Sequence, residues 1–164
     1  MTIIIKNKDY LIFDDFQFRC CVGKKGFSND KFEGDKKTPI GEFSLENLYF
    51  RKDRKKIPKT RLKIIKIKKN MGWCDDIKSK KNYNKLIKMN SKFRAEKLFR
   101  SDYKYDFFIT IKYNWGGKNI GKGSAIFIHI TKNYKPTAGC IGLSEKDFLI
   151  LAKLVKRNTK IKII

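Results

Sequence analysis

The sequence predicts an α+β fold, mainly β, with a C-terminal helix and a partly helical central insertion. Three observations predict it. Short runs of Ile, Phe, Val and Tyr, broken by Asn, Asp and Gly, fill both ends of the chain. Only the segment after Ser144 joins a capping residue to sustained helical spacing of apolar positions. The 164 residues, 41% of them hydrophobic, suffice for one core, and neither a repeat nor an interdomain linker divides them. A single domain over residues 1–164 is therefore expected.

The elements follow in order. Residues 2–6, 10–13, 16–22 and 41–48 read as strands separated by turn residues. Residues 61–68 alternate basic and apolar side chains, as a half-exposed strand does. Residues 70–101 are polar and irregular, an insertion that covers or shapes a site, with a weak helix over 91–99. Residues 106–113 and 124–131, rich in Ile and Phe, are the best central strands. Ser144 caps a helix whose first turn carries Glu145 and Asp147, where carboxylates complement the dipole. Phe148, Leu151, Ala152, Leu154 and Val155 keep helical spacing to about Arg157, and residues 160–164 return as a last strand.

Composition narrows the function. The formal net charge is +24, yet lysines outnumber arginines by 33 to 7 and only four alanines occur, the drift expected of AT-rich codons. The charge is spread along the chain, densest over residues 51–69, without the arginine forks or aromatic platforms of a nucleic-acid reader. A solvated basic surface is expected, and no nucleic-acid partner. Cys20 and Cys21 are adjacent while Cys74 and Cys140 stand apart, so a disulfide framework is not expected. One histidine and no C-x-x-C pair leave no zinc site, and no metal or cofactor is expected. No apolar run approaches the roughly 18 residues of a membrane span. Three isoleucines near the start are too short an apolar core for a secretory signal. Either the protein stays in the cytoplasm or an exporting segment lies outside this sequence.

The chemistry concentrates near the end of the chain. His129, the one histidine, closes the apolar run Ala125-Ile126-Phe127-Ile128, and Cys140 follows eleven residues later within Thr137-Ala138-Gly139-Cys140. A thiol becomes a useful nucleophile with a base beside it, and this chain offers one imidazole. Buried cysteines and histidines also serve as plain core residues. Gly139 permits close backbone approach, and small neighbours leave N–H groups uncovered for an oxyanion. The segment Gly116-Gly117-Lys118-Asn119-Ile120-Gly121-Lys122-Gly123 nearly spells a phosphate-binding loop, but no hydroxyl follows Lys122 and a strand rather than a helix comes next. It reads as a glycine turn feeding the His129 strand. Met71-Gly72-Trp73-Cys74-Asp75-Asp76 sets an aromatic and two carboxylates in a polar loop ahead of Tyr83. Adjacent carboxylates point apart, which argues against glycosidase chemistry. Chemistry alone makes Trp73 a plug at the core edge.

Taken together these segments resemble the catalytic domain of the L,D-transpeptidases, the YkuD-like peptidoglycan cross-linking enzymes, and in particular their short stand-alone bacterial branch. The matching blocks are Gly23-x-x-Gly26, Lys31-x-Glu33-Gly34-Asp35-x-x-Thr38-Pro39-x-Gly41, the Met71 to Asp76 segment, Glu96-x-Leu98-Phe99-Arg100-x-Asp102-x-x-Tyr105-Asp106, Gly123 to His129 and Thr137 to Cys140. The resemblance implies a mixed-sheet β-sandwich, Cys140 as nucleophile and His129 as base, with the imidazole oriented by the Ile130 carbonyl. Thr137, Ala138 and Gly139 would support the nucleophile and its oxyanion site. Trp73, Asp75, Tyr83, Arg94, Arg100 and Gly142 would face the substrate. Two departures stand out: Ala138 replaces a frequent histidine, and Gly142 replaces a basic or amide residue that commonly holds the donor peptide. Arg94 or Arg100 would have to serve instead. The implied partner is a peptidoglycan stem peptide, handled by a monomer in the periplasm or cell envelope. Hydrolysis by the same pair, as an L,D-carboxypeptidase or endopeptidase, is the alternative, and a basic nucleic-acid-binding module a distant one.

Overall fold

A computed structural model describes residues 1–90 and 92–164. The strands are β1 (Thr2–Ile5), β2 (Tyr10–Phe13), β3 (Phe16–Cys21), β4 (Phe27–Ser28), β5 (Thr38–Pro39), β6 (Gly41–Phe50) and β7 (Lys63–Lys66). They continue as β8 (Met71–Cys74), β9 (Leu86–Lys88), β10 (Ala95–Lys97), β11 (Phe107–Ile111), β12 (Phe127–Ile130) and β13 (Ile141–Leu143). Helix α1 (Glu145–Leu154) and β14 (Lys160–Ile163) complete the chain. Ser144 caps α1, its hydroxyl accepting the Asp147 N–H at 3.1 Å.

Nine strands form one mixed sheet in the order β11-β12-β13-β3-β2-β1-β14-β6-β7. The long β6 also pairs with β11, so the sheet closes on itself as a barrel rather than stacking as the two layers of a sandwich. Closure works because one edge of β6 serves β14 and then β7, which leaves the other edge for β11. A parallel pairing of β12 with β13, in the register Ile128↔Ile141 and His129↔Gly142, sits beside β11.

β11 and β12 are buried on both faces, which is why they read as nearly unbroken apolar runs. Phe107, Ile109, Ile111, Ile126, Ile128 and Ile130 face the main core, where Phe148, Leu151, Ala152 and Val155 bring α1. The opposite face carries Phe108 and Phe127 into a second cluster with Tyr49, Trp73, Leu98, Tyr105 and Cys140. Over that cluster lies a small antiparallel sheet, β10-β8-β9, formed by the central insertion. The helix expected over 91–99 is therefore replaced by a strand at Ala95–Lys97, with Ser91 outside the described residues. Pairing of Ala95, Glu96 and Lys97 with Cys74, Trp73 and Gly72 overrides a weak local helix preference.

Asn84 fastens this outer layer to the barrel. Its Oδ1 accepts the Trp73 indole N–H at 2.8 Å and the Ala125 N–H at 3.1 Å. Its Nδ2 donates to the carbonyls of Tyr113 and Asn114 at 3.1 and 2.6 Å. The amide is buried with both ends satisfied, at a left-handed φ of 54° that asparagine tolerates well. Asn84→Ala strips partners from the buried indole and from the Ala125 N–H. It is expected to lower unfolding free energy by about 2–4 kcal/mol, read from urea denaturation. An unchanged midpoint would show that the amide holds nothing.

Candidate active site

Cys140 follows a turn that is clamped from two directions. Thr137 Oγ1 accepts the Gly139 N–H at 3.0 Å and donates to the Cys140 carbonyl at 2.6 Å. The Thr38 hydroxyl donates to the Gly139 carbonyl at 2.9 Å and accepts the Gly23 N–H at 2.9 Å. Gly139 sits at φ 140°, where a Cβ would lie 2.7 Å from the Lys37 carbonyl oxygen, so a larger residue has neither the conformation nor the room. Lys31 and Asp35 form a buried 2.6 Å ion pair beneath that segment, and the same ammonium donates to the Lys37 carbonyl. Burial alone would raise the Asp35 carboxyl; hydrogen bonds from Lys31 and the Lys37 N–H hold it below its usual value.

Cys140 is 6% exposed. It donates to the Ala125 carbonyl at 3.1 Å and accepts the Phe127 N–H at 3.4 Å. Burial pushes its pKa up to about 11, opposed chiefly by the Lys104 charge. The β12–β13 register puts Cys140 level with Phe127 and Gly142 level with His129, so thiol and imidazole share one sheet face two positions apart.

His129 Nδ1 lies 2.9 Å from the Ile130 carbonyl oxygen. A carbonyl only accepts, so the neutral ring carries its proton on Nδ1 and leaves a lone pair on Nε2. That Nε2 is buried and finds no partner among the described residues. Burial first, then the Lys104 charge, lowers the imidazole pKa to about 3, against the Ile130 hydrogen bond. Burial thus favours the neutral form of both groups, and the thiol donates to the Ala125 carbonyl rather than to the imidazole. The Tyr105 ring meets His129 edge-on at 5.8 Å between centroids, its hydroxyl bonded to Glu96.

Cys140 borders a cavity of about 500 Å³. Glu33, Asp75, Arg94, Glu96 and Lys104 supply its charged wall; Ser124, Ala125, Ile126 and Ala138 also line it, and Ala125 touches the thiol. His129 opens on a second cavity of about 320 Å³, with Ile130, Thr131 and Thr137.

The fold thus brings Cys140, Ala138, Asp75 and Arg94 to one cavity, and Ile130 and Thr137 to the cavity of His129. Trp73 and Tyr83 are buried and line neither; Tyr83 instead donates to Glu33 at 2.6 Å and accepts the Gly123 N–H at 3.0 Å. Arg100 lies off the Cys140 cavity, its guanidinium forked onto Asp102 at 2.6 and 2.8 Å. Gly142 is buried opposite His129, and a Cβ there would meet Cys21 Sγ at 2.7 Å and Thr131 Cβ at 3.3 Å. Cys21 and Thr131 thus occupy the space a basic side chain would need. Sequence reasoning assigned no role to Glu33, Glu96, Lys104 or Ser124. Glu33 and Glu96 stand inside the motif blocks, whereas Lys104 is one lysine among 33 and carries no local signal.

Among curated proteins, no sequence matches the chain. Solved structures that align with the chain include these two. Bd1075 of Bdellovibrio bacteriovorus aligns at a TM-score of 0.53 with 16% identity, over 99% of this chain and 47% of that one. The helical cell shape determining protein Pgp2 of Campylobacter jejuni aligns at 0.49 with 18% identity, over 99% of this chain and 46% of that one. The chain spans about half the length of these structures. The L,D-transpeptidase catalytic domain model, YkuD, matches residues 2–163, so the chain belongs to that family.

Proposed function

We propose that the chain is a cysteine-dependent L,D-transpeptidase that acts on peptidoglycan stem peptides through a thioester acyl-enzyme, in the cell envelope where that polymer lies. One observation carries it: an imidazole with Nδ1 anchored and Nε2 unpartnered shares a sheet face with a thiol that borders a polar cavity. Family membership over residues 2–163 supports the substrate class.

The first half-reaction starts from the neutral pair. The thiol turns from the Ala125 carbonyl toward His129, Nε2 takes its proton, and the sulfur attacks the carbonyl of the L-centre, diaminopimelate, in a tetrapeptide stem. The Gly139 N–H is engaged by Thr137, so the Cys140 N–H is the donor we assign to the developing oxyanion. Such a donor is worth about 3–4 kcal/mol in the transition state. The C–N bond breaks, His129 gives its proton to the departing amine, and a D-amino acid leaves. An amine of a second stem then attacks the thioester and restores the thiol. Water in that place makes the same centre a carboxypeptidase.

Cys140→Ala is expected to abolish acyl-enzyme and lower turnover by about 10⁴-fold or more, and His129→Gln by about 10³-fold, measured on purified muropeptides. Turnover by Cys140→Ala at the parent rate would sink the assignment. A carbapenem should add one mass increment to the protein, mapped to Cys140 and not to Cys74. A free D-amino acid supplied with the tetrapeptide should be incorporated into the product; tripeptide alone, without exchange, would assign the second step to water.

The resting protonation state has its own signature. With the folded-state pKa raised to about 11, the Cys140 thiolate fraction climbs about tenfold per pH unit between pH 8 and 10. Iodoacetamide labelling of Cys140, followed by peptide mass spectrometry, should rise at that slope. A rate flat from pH 6 upward would mean a preformed thiolate–imidazolium pair.

A further inference from the structure

The cavities of Cys140 and His129 share one lining residue, Lys104. It stands in the turn before β11 with its side chain half-buried and its N–H held by Asp102 at 3.1 Å. Among the described residues its ammonium makes no hydrogen bond or ion pair; the Tyr105 ring face, 5.2 Å away, is the partner it has. The other cations near the thiol are committed. Arg94 is bound to Asp75 at 3.0 Å, Arg100 to Asp102, and Lys31 to Asp35. Lys135 reaches the His129 cavity but is exposed and does not border the thiol.

We propose that Lys104 holds the carboxylate of the amino acid that leaves, and so directs cleavage to the bond one residue from a free C-terminus. This rests on the acyl-transfer function proposed above. The leaving amine takes its proton from His129 while its former carbonyl is bonded to Cys140, so the departing residue lies between the two cavities. In an amino acid the carboxylate is separated from the amine by one carbon, which places it beside the residue both cavities share. A half-buried ammonium without an anion is poorly solvated, and a substrate carboxylate supplies the missing partner. The same pairing would neutralise a charge that now depresses the His129 imidazole, making the base stronger once substrate is bound. Lys104 would thereby perform the task that Gly142 cannot.

The test compares the wild-type protein, Lys104→Met and Lys104→Arg on a tetrapeptide stem and on its C-terminal carboxamide. Wild type should prefer the free carboxylate about 10–100-fold in kcat/KM. Lys104→Met should lose that factor on the carboxylate substrate relative to the carboxamide, chiefly through KM, with an unchanged circular dichroism spectrum and urea midpoint showing that the variant is folded. Lys104→Arg should restore most of the preference. An undiminished preference in Lys104→Met overturns the proposal, as does equal loss on both substrates, which would assign Lys104 to the thiolate. Inactivity of the wild-type protein on both substrates, with no carbapenem adduct at Cys140, would instead bring down the acyl-transfer function itself and Lys104 with it.

Discussion

The site depends on the close approach of three backbone segments. A Cβ on Gly139 would stand 2.7 Å from the Lys37 carbonyl oxygen, and one on Gly23 2.6 Å from that of Lys36. The cysteine turn, the start of the Gly23 loop and the segment before β6 therefore meet without side chains between them. Thr38 turns that contact into a joint, because its one hydroxyl both donates to Gly139 and accepts from Gly23. The Gly23↔Thr137 bridge and the buried Lys31–Asp35 pair stiffen either side. A nucleophile must be held within fractions of an ångström to be productive, and packed backbone does this better than a long side chain. The motif block from Lys31 to Gly41 is thus the seat of the cysteine.

A second consequence comes from covering the barrel on its outer face. Because β8, β9 and β10 roof over Phe108, Phe127 and Tyr105, the thiol and imidazole lie in a desolvated layer rather than on open sheet. Desolvation disfavours both charged forms, and so raises the thiol while lowering the imidazole. The pair rests neutral, with a base that has kept its lone pair. Under the proposed function, charge appears only when substrate arrives, in a layer where nearby dipoles and ammonium groups act strongly.

Much of this was legible in the sequence, and the limits have physical causes. Strands β1, β2, β3 and β6 announce themselves as short apolar and aromatic runs between turn residues, and β11 and β12 by unbroken apolar runs that double burial produces. The helix is written in the Ser144 cap and the Phe148, Leu151, Ala152 spacing. The outer sheet was not legible, since three-residue strands such as β10 are held by their partner and not by their own pattern. Barrel closure was hidden for the same reason: it is a property of both edges of β6. At the site, Cys140 and His129 could be paired from motifs. Whether a polar side chain faces the cavity or the scaffold depends on neighbours distant in sequence. Trp73 and Tyr83 go to Asn84 and Glu33, Arg100 goes to Asp102, and Lys104 is left uncommitted among the described residues.

The large positive charge and the small cavity act at different ranges. A net charge of +24 creates a field that draws anionic polymers toward the whole surface. That field decays over a Debye length of about 8 Å at physiological salt, so it can attract an anionic ligand without orienting it. Orientation needs fixed charges inside the cavity, and there the balance is different: Glu33, Asp75 and Glu96 face Arg94 and Lys104. Asp75 and Arg94 cancel each other, while Glu33 Oε2 already accepts from Tyr83 and Ser124. A wall carrying both signs is selective for a ligand that carries both, whereas the surrounding lysines attract any anion. Under the proposed function, discrimination lies with a few groups around Cys140, and the other lysines contribute to encounter rather than to choice.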